Sequence, residues 1–93
     1  IGRASLMFNT TGEKNIAIGP AALENNNSAN NIGMGYETLF HNQSGENNIA
    51  LGNYALKKNL SEKNIAIGYA ALTDNVTGTL NLAVGDSALA GLY

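Results

Sequence analysis

Asn15-Ile16-Ala17-Ile18-Gly19 returns four times along the chain. The copies are Asn31-Ile32-Gly33-Met34-Gly35, Asn48-Ile49-Ala50-Leu51-Gly52, Asn64-Ile65-Ala66-Ile67-Gly68 and Asn81-Leu82-Ala83-Val84-Gly85. Ile1-Gly2 reads as the tail of one more. The glycines that close the copies are spaced alternately 17 and 16 residues apart. Each copy carries β-branched or long aliphatic residues at its second and fourth positions, the period-two pattern of a short strand. Between them stands a small residue, so the strand is apolar on both faces.

Outward from this core, other positions recur. Four residues after each glycine comes a leucine (Leu6, Leu23, Leu39, Leu56, Leu72, Leu89), and three further on an asparagine (Asn9, Asn26, Asn42, Asn59, Asn75). Two beyond that is a hydroxyl residue: Thr11, Ser28, Ser44, Ser61 or Thr77. The longer intervals contain an additional glycine after the hydroxyl, at Gly12, Gly45 and Gly78. Residues 13–45 therefore align with 46–78 without a gap, and the larger unit is a two-coil segment of 33 residues.

A period of 16 or 17 residues predicts an all-β repeat fold: a parallel β-roll or β-solenoid in which each strand pairs in register with the next at about 4.8 Å. Residues 1–93 then form a single repeat domain of about five to six coils. Asn15, Asn31, Asn48, Asn64 and Asn81 are expected to stack as a ladder. Ile16, Ile18, Ile32, Ile49, Ile65 and Ile67, with Leu23, Leu39, Leu56 and Leu72, are expected to hold the coil. The Ala17 column is expected to face a neighbouring subunit. On this reading Ile65→Asp buries an unpaired charge and disrupts assembly. The segment after each glycine is expected to be a short helical turn, Pro20 at its first position and Asn26 ending it, or else a second strand. The Asn-x-Ser/Thr segment then loops back to the next strand.

Composition narrows the function. The chain has 93 residues, no cysteine and a formal net charge of −2. This excludes disulfides and thiolate metal sites, and it argues against a phosphate-tracking basic surface, so no nucleic acid is expected as partner. No apolar run approaches bilayer length, and membrane insertion of this segment is not expected. The chain starts inside a repeat, which suggests a fragment of a longer fibre protein. A stack this thin, apolar on both strand faces, favours self-association.

The pattern Asn-Ile-Ala-Ile-Gly-x-x-Ala-Leu-x-x-Asn-x-Ser/Thr-Gly resembles repeats of phage and virus tail fibres and related surface adhesins, where it often precedes an intramolecular chaperone domain of the endosialidase type. Its core is also similar to head repeats of trimeric autotransporter adhesins, although those are typically shorter and run a second strand after the glycine. The resemblance spans Ile1 to Leu89. It implies a parallel homotrimer, located on a virion tail fibre or at a cell surface, that spaces or presents binding surfaces for a cell-surface glycan or protein receptor. At the end of the chain, Leu92 occupies an asparagine position, as if the repeat were terminating.

Candidate chemistry is sparse. His41 is the sole histidine; threefold convergence on a metal competes with plain solvation, and solvation is the better reading. The acidic residues Glu13, Glu24, Glu37, Glu46, Glu62, Asp74 and Asp86 occupy different columns, so a carboxylate pair for glycoside hydrolysis, as in a polysaccharide-degrading spike, is the weaker expectation. No enzyme activity and no cofactor are expected. Tyr36, Tyr54, Tyr69 and Phe40 vary between copies, as do Lys57 and Lys58. They are expected to be exposed, either contacting a receptor or covering the coil edges. Asn9, Asn26, Asn42, Asn59 and Asn75 match the N-glycosylation acceptor pattern because the turn recurs.

Overall fold

In the computed structural model the described residues are 1–90. The reading of Leu92 as a departure from the repeat lies outside them. Five three-residue strands follow one another: β1 (Ile16–Ile18), β2 (Ile32–Met34), β3 (Ile49–Leu51), β4 (Ile65–Ile67) and β5 (Leu82–Val84). They form one parallel sheet in chain order, β1-β2-β3-β4-β5. Like residues pair with like: Ile16 with Ile32, Ile32 with Ile49, Ile49 with Ile65 and Ile65 with Leu82. The chain is thus a parallel β-solenoid, one coil per repeat.

The faces of the strands are the reverse of the sequence expectation. Ala17, Ala50, Ala66 and Ala83 are buried inside the coil, and Gly33 takes the same inward place. Ile16, Met34, Ile67, Leu82 and Val84 are exposed, while Ile18, Ile32, Ile49, Leu51 and Ile65 are half-buried. The reason is volume. Leu23, Leu39, Leu56 and Leu72 come in from the opposite wall with no exposed surface and fill the tube. What remains opposite a leucine is room for a methyl group or less, so the inward strand position must be small and the branched residues turn outward.

The segment after each glycine is neither a helix nor a second strand; it is a run of overlapping turns. The Ala22 amide donates to the Gly19 carbonyl, that of Glu24 to Ala21 and that of Asn26 to Leu23. The amides between them point along the stack: Ala21 to the Arg3 carbonyl, Leu23 to Thr38 and Asn25 to Phe40. Such alternation requires positive φ at every second residue, for example 60° at Ala21 and 51° at Leu23. Pro20, locked at negative φ, occupies the turn position before Ala21. A helix over so few residues would have to nucleate at high cost and would forgo the bonds between coils. Leucine in the left-handed region costs about 1–2 kcal/mol, an amount that complete burial of its side chain offsets.

From Gly2 to Gly68 the strand-end glycine column approaches the next coil too closely for any side chain. A Cβ on Gly52, at φ 121°, would lie 2.7 Å from the backbone of Gly68 in the next coil.

The interior beyond the leucines is polar and fully paired. The Oδ1 of Asn15 accepts the Asn31 amide at 2.9 Å, and Asn31, Asn48 and Asn64 repeat the bond to the next coil. These bonds make a ladder that runs from side chain to backbone. A second ladder runs from amide to amide: Asn42 Nδ2 donates to Asn26 Oδ1 at 2.7 Å, Asn59 to Asn42 at 3.2 Å and Asn75 to Asn59 at 2.9 Å. These are residues of the glycosylation pattern. Asn26, Asn42, Asn59 and Asn75 are buried with their Nδ2 atoms engaged, so they offer no acceptor for a sugar.

The two ladders are tied together at one carbonyl per coil. Asn31 and Asn42 both donate to the Gly45 carbonyl, at 2.9 and 2.8 Å; Asn48 and Asn59 both donate to the Ser61 carbonyl, at 2.8 and 2.7 Å. This column alternates Gly12, Ser28, Gly45, Ser61, Gly78, and it explains the alternating period. The Ser28 hydroxyl donates to the Gly45 carbonyl and that of Ser61 to the Gly78 carbonyl. A Cβ on Gly45 would run into the Ser61 backbone and lie 2.5 Å from Asn42 Oδ1. The hydroxyl residues therefore do not form one column. Ser28 and Ser61 turn inward, while Thr11, Ser44 and Thr77 are exposed beside the glycines that take the interior place.

Candidate interaction surfaces

Two surfaces stand out, and both are built from positions the interior leaves free. The first is the outer face of the sheet. Ile16, Ile18, Ile32, Met34, Ile49, Leu51, Ile65, Ile67, Leu82 and Val84 form two adjacent columns of five aliphatic side chains. Five of the ten are exposed, from 38% at Ile67 to 65% at Leu82, and the other five are half-buried. Three residues at about 3.3 Å and five strands at about 4.8 Å give a flat footprint of about 10 by 24 Å. The apolar surface is continuous along the stack, one pair of side chains per coil. The sequence reading placed these isoleucines in the coil and the Ala17 column outside it; in the structure the Ala17 column lies inside and the isoleucines face outward.

The second surface lies just past the strand ends. Tyr36, Tyr54 and Tyr69 come from three successive coils and stack edge to face, with ring centroids 5.5 and 5.6 Å apart. Tyr36 and Tyr69 are exposed and Tyr54 is half-buried. The Lys57 ammonium sits 5.3 Å from the Tyr54 ring centroid and 3.0 Å from the Glu37 carboxylate. Its hydrogen bond to Glu37 raises its pKa, and the Glu37 charge also raises the pKa of the Tyr36 phenol. Asn53 Oδ1 accepts the Tyr36 amide at 2.9 Å. Phe40 stands apart from the ladder among the aromatic contacts and pairs with His41, with ring centroids 4.7 Å apart.

The sequence expectation thus finds three of its four aromatics assembled. It did not foresee that Glu37 and Lys57 join them across a coil boundary. The signal was available: Glu37 and Tyr54 are the second residues after their glycines, a column otherwise held by alanine and serine.

Elsewhere the charged groups are solvated or paired with opposite charges. Lys58 lies 3.3 Å from Asp74 and Lys63 3.8 Å from Glu62. His41 is exposed. Among the described residues no three His, Asp or Glu side chains gather closely enough to hold a metal ion. Comparison with protein-family models, with curated proteins and with solved structures finds no match to the chain.

Proposed function

We propose that this chain is a non-enzymatic structural and adhesive segment of a parallel homotrimeric fibre, carried on a virion tail or a cell surface, that attaches to a glycan or protein receptor on a host or target cell. The observation that carries the reading is the outer sheet face, ten aliphatic side chains that a lone chain leaves against water. A cyclic assembly about an axis parallel to the stack buries that face in every copy at once. In-register coils supply a stiff rod on which the tyrosine ladder is displayed, in keeping with the general placement of recognition on exposed segments of a rigid scaffold. Three of the acidic side chains, Glu37, Glu62 and Asp74, pair with lysines and not with one another, which favours adhesion over glycan cleavage.

Light scattering of the purified chain tests the assembly: a three-chain mass is expected, and a one-chain mass removes the fibre. Retention on an array of cell-surface polysaccharides tests adhesion. Loss of retention in Tyr54→Ala, which removes the middle ring of the ladder, with mass unchanged, is the expected result; a trimer that binds nothing on cells or glycans serves as a spacer only.

A further inference from the structure

We infer that the two margins of the outer sheet face are matched to each other between copies, so that Lys63 of one copy seats on the ring of Tyr69 of its neighbour. The inference rests on the self-association proposed above and goes beyond it in fixing which side chains meet.

The argument is geometric. The strands are parallel and in register, so each coil sits at one height on the stack. Rotation about an axis parallel to the stack carries every coil to the same height in the next copy. It also preserves the sense of the strand around the axis. The margin where a strand begins in one copy therefore faces the margin where the same strand ends in the neighbour.

The starting margin is the residue before each ladder asparagine, and at β4 this is Lys63. The finishing margin is the residue after each strand-end glycine, and at β4 this is Tyr69. Every residue of both rows beside the five strands is exposed.

At the height of β4 the facing groups are a cation and an aromatic ring, a favourable contact when the charge lies over the ring face. Both have capacity to spare. Lys63 has a single, long ion pair, 3.8 Å to Glu62, in which both side chains are at least half exposed. Tyr69 meets Tyr54 edge to face, at an interplanar angle of 87°, and remains 54% exposed. At the heights of β2 and β3 the same rule sets Asn30 against Tyr36 and Asn47 against Asn53, pairs able to hydrogen-bond. At none of the five heights do two like charges face each other.

The chain contains no cysteine, so disulfide trapping has no background. Lys63→Cys/Tyr69→Cys places the two thiols at opposite ends of β4, roughly 15–20 Å apart along the strand, too far for a bridge within one chain. Under mild oxidation, most of this variant should shift from the one-chain to the three-chain position on a non-reducing denaturing gel and return on reduction. Each single variant should remain at the one-chain position. So should Lys63→Cys/Tyr36→Cys, whose thiols lie two coils apart in height, about 10 Å. Light scattering on the same samples separates the two ways of failing. A three-chain mass without covalent species overturns the matched margins and leaves the assembly standing. A one-chain mass overturns both.

Discussion

Gly33 and Thr38 complement each other within one coil. Every other strand-bearing coil has alanine at both places: Ala17 with Ala22, Ala50 with Ala55, Ala66 with Ala71 and Ala83 with Ala88. Here the strand gives up its methyl group and the facing wall gains a hydroxyl. Thr38 is fully buried, its Oγ1 donates to the Gly35 carbonyl at 3.2 Å, and a Cβ on Gly33 would come within 2.8 Å of that oxygen and closer still to Leu23 Cδ1. Gly33→Ala alone should destabilise the fold by about 1–3 kcal/mol through overpacking. Gly33→Ala/Thr38→Ala should recover the part of the loss that Thr38 causes, leaving only the end of the Leu23 side chain to shift. A double-mutant cycle on urea midpoints checks this; additive effects would count against the pairing.

Asn48 is the best test of the polar interior. Its Oδ1 accepts the Asn64 amide at 2.9 Å, and its Nδ2 donates to Asn31 Oδ1 and to the Ser61 carbonyl. Asn48→Ala leaves the Asn64 amide without its acceptor, while Asn31 Oδ1 keeps the residue-48 amide and the Ser61 carbonyl keeps Asn59; it should cost about 1–3 kcal/mol. Asn15→Ala, at a half-buried site, should cost less. Chemical denaturation of the two variants gives the order directly.

Ile65→Asp separates the coil from the assembly. The sequence expectation was a charge trapped in the stack; in the structure the Ile65 side chain lies on the outer face, half-buried among its column neighbours. The variant should therefore keep its β circular dichroism and lose the three-chain mass proposed for the parent. Its stability as a single chain should change by about 1 kcal/mol or less. A folded trimer would show that the outer face is not the contact.

Leu80 occupies a left-handed position, φ 57°, where Asn30 and Asn47 stand in two other coils. It is 78% exposed. Leu80→Asn relieves the steric penalty without losing packing, and a gain of about 0.5–1 kcal/mol is expected, read as a rise in melting temperature.

Glu37 holds protons on two neighbours. Its carboxylate raises the pKa of Lys57 and that of Tyr36. In the window between the unfolded and the folded pKa values the folded chain binds more protons, so stability falls as pH rises. The contribution is complete below about pH 10 and is lost as pH climbs through the raised values. Melting temperatures from pH 9 to 11.5 should decline less steeply in Glu37→Gln than in the parent. Equal slopes would remove Glu37 as the cause.

The stacking of coils was legible because it rests on spacing. Recurrence of Asn, Ile, Gly and Leu at fixed intervals specifies parallel, in-register strands and leaves few alternatives. The facing of the strands was not legible, because bulk was taken as a sign of burial. In a tube already filled by Leu23, Leu39, Leu56 and Leu72, the small residue goes inside, and that depends on the opposite wall and not on the strand. The turns after each glycine were hidden for a related reason: leucine at positive φ is unfavourable by itself and pays only once a neighbouring coil accepts its amide. The cluster of Tyr54, Lys57 and Glu37 draws on two coils, so no single repeat discloses it.

The serine–glycine alternation carries a consequence for the growth of such rods. A hydroxyl from one wind fits only against a bare backbone in the next, so the winds come in two kinds that must take turns. Removing or adding one kind alone would bring glycine over glycine, with a gap, or serine over serine, with a collision. On this packing an insertion or deletion that keeps the stack intact spans a whole pair of winds, a ratchet whose tooth is 33 residues long.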